Sequence, residues 1–270
     1  MMRRIFAIAL NTFREAIRNK VLYGILIVVV GANLFALVLG QMSLHEEARV
    51  ARDVGLAGVS LFGSITAIVL GVSLLYNEVQ KKTIHTILAK PLERHEFVLG
   101  KYLGMAFTLT LLVALFAVAL AGLLALTRAQ NPEQYAAWDA AISKAVLLGW
   151  LEVMIVAAIA VFFSAFSSPY LSGVFTFALF FVGRTSGEIR TAAAHAKDPV
   201  IRAIAGVAFK VVPDLHVFAI SGGEVAGRPV SVHADFVAWS YVGSAALYAA
   251  LWVAILLILA MAIFRRKDFV

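Results

Sequence analysis

Apolar residues along this chain gather in long blocks and do not alternate with polar ones. Val21 to Gln41, Leu56 to Tyr76, Tyr102 to Thr127, Val146 to Ser167, Tyr170 to Gly187 and Val237 to Phe264 carry at most one charged residue each. A helix needs about 20 such residues to cross a bilayer. Inside lipid every backbone N–H and C=O must find its partner within the protein, so only helices and closed barrels cross. Barrel strands would show a two-residue alternation that is missing here. The pattern therefore predicts an all-α, polytopic membrane protein with six transmembrane helices. An even number of crossings puts both termini on one side.

The segments between the blocks have patterns of their own. Over residues 3–20, Ile5, Phe6, Ala9, Leu10, Phe13 and Ile17 recur at helical spacing, with Arg4, Asn11, Arg14, Arg18 and Asn19 mostly opposite them. This predicts an interfacial helix lying flat, its basic side toward anionic lipid, before the first span; a simple topogenic anchor is the alternative. Over 78–101, Val79, Ile84, Ile87 and Leu88 form a narrow apolar stripe among Lys81, Lys82, His85 and Thr86. Pro91 ends that helix because it lacks an N–H for the ladder. The chain restarts near Glu93, and the helix to Thr127 is longer than a bilayer requires, so its first turns should project from the membrane. Gly100 and Gly104 have the small-xxx-small spacing of close helix packing. The alternative for this loop is a solvated basic segment needed only for orientation.

Composition agrees: 62% of the residues are hydrophobic and 14% are charged. The spans leave no room for a soluble domain, so 1–270 is read as one membrane domain. Positive charge sets orientation. Arg3, Arg4, Arg14, Arg18 and Lys20 in the arm, Lys81, Lys82, Lys90, Arg94 and Lys101 in the loop, and Arg265, Arg266 and Lys267 in the tail predict that these parts and both termini are cytoplasmic. In the opposite segments, acids such as Glu46, Asp53, Glu133, Asp139, Glu188, Asp214 and Asp235 balance the bases, so the net charge of +7 reflects orientation and not nucleic-acid binding. The apolar run after Arg3 and Arg4 is interrupted at Asn11, so no cleavable leader is expected. Absence of cysteine excludes disulfides and thiolate metal sites.

Chemistry inside the spans is sparse. Glu152 is the one acidic residue placed within a span, where an ionisable group needs a partner or a role. Ser167, Ser168 and Pro169 make a tight turn that sets the fourth and fifth blocks antiparallel, so Glu152 is expected to pair with Arg184; a substrate or proton site is the alternative. Phe162, Phe163, Phe166, Phe175, Phe177, Phe180 and Phe181 read first as packing or lipid-facing surface, and second as lining for an amphiphilic cargo. The segment 188–235 lies on the far side with a helix-like piece from Val200 to Val212 too charged to span. His195, His216 and His233 lack metal-ligand spacing, so no metal site is assigned.

Glu78, Thr83, Ile84, Leu88, Pro91, Arg94, Phe97, Gly100 and Lys101, in that order, resemble the segment after the second span in permease subunits of the type-2 ABC exporter family. Thr12 to Ala16, then Arg18, Lys20, Val21, Leu22 and Tyr23, resemble the N-terminal elbow of its branch linked to multicopper-enzyme maturation and sodium extrusion. Val212, Pro213, Asp214, Leu215 and Phe218 are similar to a loop before the last span, and Arg265 to Phe269 to a usual terminus. Gln80 and Lys82 depart from the pattern, standing where relatives commonly carry an acid and a glycine.

The resemblance implies a half-transporter in the cell (inner or plasma) membrane, paired with a second, identical or related permease and two ATP-binding subunits. It implies that Glu78, Thr83, Ile84, Ile87, Leu88, Pro91 and Arg94 belong to the coupling helix and its flanks. Phe13, Arg14 and Arg18 would lie on the elbow, the cargo path would run between the second and fifth spans, and short re-entrant or surface helices within 188–235 would cap it. The chain has no G-x-x-x-x-G-K-[ST] phosphate loop, so ATP and Mg would be held by the partner subunit, with no cofactor or catalytic residue here. Two other functions stay open: a membrane anchor or assembly factor for an ATPase, and an intramembrane hydrolase. The second lacks a histidine or paired carboxylates at depth.

Overall fold

A computed structural model describes residues 2–42, 47–80, 94–130, 138–195, 206, 212–219, 223–225, 228–230 and 237–266. The helices follow the blocks: α1 Met2–Ile17, α2 Lys20–Met42, α3 Glu47–Gln80, α4 Arg94–Gln130, α5 Ala140–Ser164, α6 Pro169–Arg184, α7 Ser186–His195 and α8 Trp239–Arg266. A single 3-10 turn, Leu215–Phe218, precedes a short antiparallel ribbon, β1 Gly223–Val225 with β2 Arg228–Val230. Among the described residues four helices, within α3, α4, α5 and α8, are long and apolar enough to cross a membrane.

The central helix is α5. It is apolar around its whole circumference, the signature of a helix surrounded by protein, and Val153 to Val161 are all buried. Asp139 starts it, its Oδ1 accepting the Ile142 N–H at 2.9 Å. At its other end the chain turns through Ser167 and Ser168, and Pro169 opens α6 where its missing N–H costs nothing.

Against α5 lies α3, brought close by small residues. A Cβ on Gly63 would come within 2.7 Å of Val153 Cγ2, and one on Gly71 would collide with the Ala160 methyl. The Ser164 hydroxyl donates to the Gly71 carbonyl at 3.2 Å, possible only at this backbone separation. Gly71→Ala is expected to force these helices apart at a cost of about 1–3 kcal/mol. Adding Ala160→Gly to it should recover most of the loss in thermal unfolding of the purified protein; no recovery would mean that Gly71 matters for another reason.

Ion pairs and ring contacts define two ends of the bundle. At the arm end α1 crosses α4, and Phe97 of α4 stacks on Phe264 of α8 with centroids 5.9 Å apart. At the far end Arg52 of α3 lies 3.7 Å from Asp139. Lys144 of α5 donates to the Val237 carbonyl, at the start of α8, at 2.9 Å.

Of the arm helix, Ala9, Thr12 and Ala16 are buried on α4, while Phe6 and Leu10 face outward. Two expected boundaries need correction. The second block does not end before Glu78, because α3 continues to Gln80. The fifth block does not run to Gly187; α6 stops at Arg184, Thr185 leaves the helical path, and α7 starts at Ser186.

Candidate functional site

A buried polar knot joins α3, α5 and α6 toward the far half of the bundle. Glu152 is fully buried, and Nη1 of Arg184 lies 2.8 Å from both of its carboxylate oxygens. Ser60 of α3 donates to Oε2 at 2.6 Å. The residues singled out by sequence, Glu152 and Arg184, are thus brought together, with Ser60 as an additional partner. Ser60 shares its face of α3 with Gly63, Ser64, Ala67 and Gly71, a run of small residues that marks a packing face but not which hydroxyl meets the carboxylate. Engaged on both oxygens, Glu152 has no oxygen left free of a donor, which does not suit a general base.

Below the knot, toward the arm end, α3 and α6 stay close, a Cβ on Gly173 reaching contact distance of Val72, and border an open apolar cleft of about 590 Å³ lined by Ile68, Val69 and Val72 on one side and Tyr170, Gly173 and Val174 on the other. Ser73 also borders it but turns its hydroxyl back to the Val69 carbonyl at 2.8 Å, so little polarity faces the cleft. Tyr170, Phe175, Phe177 and Phe181 stay exposed along α6, Phe175 while touching Phe163 with centroids 5.4 Å apart, whereas Phe180 is buried. The phenylalanines therefore divide between packing and outward surface.

Above the knot, the segment 212–219 covers the α6–α7 junction. Asp214 accepts from Ser186 Oγ at 2.5 Å and from Arg190 at 3.0 Å, and its backbone N–H donates to the Tyr248 hydroxyl at 2.8 Å. Leu215 is fully buried. A Cβ on Gly183 would meet the Pro213 carbonyl at 2.7 Å, and one on Gly187 the His216 ring at 2.9 Å. Tyr241 donates to the Val217 carbonyl at 2.6 Å. Ser186, Arg190 and Tyr248 carried no sequence signal, because their shared partner Asp214 is distant in the chain.

At the arm end, α1 and α4 are fastened by charge and by close approach. Glu15 lies 3.5 Å from the buried Lys101 ammonium, and Arg4 stands 4.0 Å from the buried Glu96. Phe13 is half-buried and Arg14 and Arg18 are exposed on the same arm. Of the coupling residues named from sequence, Glu78 falls in the last turn of α3 and Arg94 opens α4. Thr83, Ile84, Ile87, Leu88 and Pro91 lie outside the described residues, as do His233 and nearly all of the 200–212 piece.

Among the described residues no group of three or more His, Asp or Glu side chains is placed to hold a metal ion. His195 contacts the Thr191 carbonyl of its own helix at 2.8 Å. In comparison with known proteins, a family model described as ABC-2 family transporter protein matches residues 6–269. No curated protein matches the chain.

Proposed function

The chain belongs to the ABC-2 transporter family, and we propose that it is the permease half of an ATP-driven exporter that moves its substrate out of the cytoplasm. It is a multi-pass membrane protein and the membrane subunit of an ABC transporter, not itself catalytic. Permeases of this family work with ATP-binding subunits and a second permease. In our reading the assembly holds two ATP-binding subunits, which carry ATP and Mg, and a second permease that is identical or closely related. The chain sits in the cell (inner) membrane with both termini in the cytoplasm. The observation that carries this reading is the family match over residues 6–269, and the open apolar groove bordered by α3 and α6 in the arm half supports it.

Two helices complete a six-span plan in this reading. The first is α2, whose 23 residues reach about 35 Å. The second is α6, whose 16 residues reach only about 24 Å against a core of about 30 Å. The shortfall is taken up by α7 and the 212–219 segment, which Ser186 and Arg190 join through Asp214. An apolar cleft of this kind suits a hydrophobic or amphiphilic cargo. Mechanically, closure of the ATP-binding subunits would push the 78–101 segment, with Thr83, Ile84, Ile87 and Leu88 as contacts, Glu78, Pro91 and Arg94 framing them and α1 as the elbow beside it.

The test is purification of the tagged protein from its native membrane in mild detergent, comparing wild type with Ile87→Glu. A stoichiometric ATP-binding subunit that is lost in the variant is expected, with membrane insertion unchanged. A homo-oligomer with no such subunit would overturn the transporter reading, and a subunit retained by Ile87→Glu would overturn the assignment of the coupling helix. If cargo fails to stimulate ATP turnover in an intact complex, the chain is an anchor for the ATPase.

A further inference from the structure

At the far end of the bundle α5 starts after Asp139 and α8 starts at Trp239, and Lys144 of α5 bridges the two helices. A lysine near the end of a span ordinarily turns its head to water. Lys144 turns inward instead. Half-buried, it donates to the Val237 carbonyl at 2.9 Å and holds its ammonium 5.2 Å from the centre of the Trp239 ring. Among the described residues no carboxylate pairs with it. Asp139, the acid that opens α5, is committed elsewhere, capping the Ile142 N–H and facing Arg52 at 3.7 Å. Arg52 is itself short of acceptors, since it is buried and its Nε and Nη2 have no hydrogen-bond partner among the described residues.

Two exposed indoles fix the depth of this unpaired cation. Trp138 donates to Ser143 Oγ, beside Lys144, at 2.8 Å, and Trp239 opens α8. Indoles at the ends of spans sit at the level of the lipid headgroups. One turn below Trp239 on α8, no atom stands within 4 Å of where a Cβ on Gly243 would be, and Leu247 and Leu251 continue that face exposed.

We propose that Lys144 and Trp239 form a phospholipid site, in which Lys144 takes the headgroup phosphate and an acyl chain runs down α8 past Gly243 to Leu247 and Leu251. An ammonium has three N–H donors, and the Val237 carbonyl uses one. The other two are left for phosphate oxygens, which form the stronger, charge-assisted bonds. The carbonyl and the ring hold the ammonium in place before lipid arrives, so little side-chain entropy is lost on binding. The site requires only that α5 and α8 cross the membrane, as their length and composition allow, and it does not depend on transport.

The chain contains no cysteine, so Ala140→Cys, exposed one turn before Lys144, carries a single fluorophore beside the site. In detergent micelles the labelled protein is titrated with phosphatidylglycerol bearing a nitroxide quencher high on one acyl chain. Quenching is expected to saturate and to be reversed by unlabelled phosphatidylglycerol. Lys144→Gln should raise the half-saturating lipid concentration about fivefold, and Lys144→Arg, which keeps the cation, should leave it unchanged. Quenching that never saturates, or that Lys144→Gln does not weaken, would overturn the proposal. Reversal by diacylglycerol as effective as by phosphatidylglycerol would also overturn it, because only chains would then be held. Reversal by inorganic phosphate would overturn it as well, by making the ligand a free phosphate. If Lys144→Gln fails to fold, Trp239→Leu carries the test, because it removes the ring while the Lys144–Val237 bond stays. The same weakening is expected there, and an unchanged half-saturation would count against the site.

Discussion

Arg184→Gln is expected to destabilise this protein by about 3–5 kcal/mol, and Glu152→Gln by only about 1.5–3 kcal/mol. The asymmetry follows from burial. The Glu152 side chain is 0% exposed and that of Arg184 is 30% exposed. Without Arg184, a carboxylate inside the membrane keeps a single neutral donor, the Ser60 hydroxyl. Without the Glu152 charge, the guanidinium already reaches outward and can move its head toward water, as long cationic side chains do near helix ends. The double variant Glu152→Gln with Arg184→Gln removes both charges and should therefore be more stable than Arg184→Gln alone. Ser60→Ala, by contrast, deletes a neutral interhelical bond while the ion pair stays, and such bonds average about 0.6 kcal/mol in membranes.

Equilibrium unfolding in detergent or bicelles checks the order: wild type above Ser60→Ala, then Glu152→Gln, with the double variant above Arg184→Gln. A double variant no better than Arg184→Gln would mean that the unpaired charge is not the source of the loss. Reversal of both charges is a weaker test than neutralisation, because Glu152 has no exposed surface into which the longer arginine side chain can extend. If the neutral double variant folds and binds its ATP-binding subunit yet fails to couple, Glu152 carries a role in the path beyond pairing.

Hydropathy made the long helices legible, since a bilayer imposes a length and an apolar composition on any helix that crosses it. The blocks at Leu56 and Tyr102 fall within α3 and α4, and those at Val146 and Val237 coincide with α5 and α8 except for a few residues at one end. The Glu152–Arg184 pair was legible too, because the Ser167–Pro169 turn forces its two helices antiparallel. Other features depend on contacts that periodicity does not encode. The break at Thr185 lies between Arg184 and Ser186, where Pro213, Leu215 and His216 come close to Gly183 and Gly187 from a segment distant in the chain. The amphipathic pattern of residues 3–20 was visible, but the fully buried residues are Ala9, Thr12 and Ala16, the small ones, while Ile5, Ile8, Phe13 and Ile17 are only half-buried. For a helix packing in lipid, small residues decide the interface, because large apolar side chains are equally content against acyl chains.

That rule makes Gly104 the residue on which the arm depends. A Cβ there would collide with the Ala9 carbonyl and come within 2.6 Å of Thr12 Cβ, and one turn earlier a Cβ on Gly100 would stand 2.7 Å from Ile8 Cβ. Backbone atoms and a branched carbon cannot swing aside, so α1 as a whole must retreat. Gly104→Val is therefore expected to release α1 from α4. Retreat also lengthens the Glu15–Lys101 separation from its present 3.5 Å, leaving a buried ammonium facing Phe97. The local loss adds an overpacking cost of about 1–3 kcal/mol to that of a weakened buried ion pair. Hydrogen exchange should then show amides of residues 5–16 exchanging at least about tenfold faster, the factor that follows from about 1.4 kcal/mol of lost local stability. Amides in α5, which α4 holds by the Tyr102 hydroxyl on the Met154 carbonyl at 3.2 Å, should keep their protection. Faster exchange confined to α1 would show the arm to be a separately released element, seated by Gly100 and Gly104. Unchanged exchange would mean that the arm is held by its ion pairs and the lipid surface, and that the glycines only accommodate it.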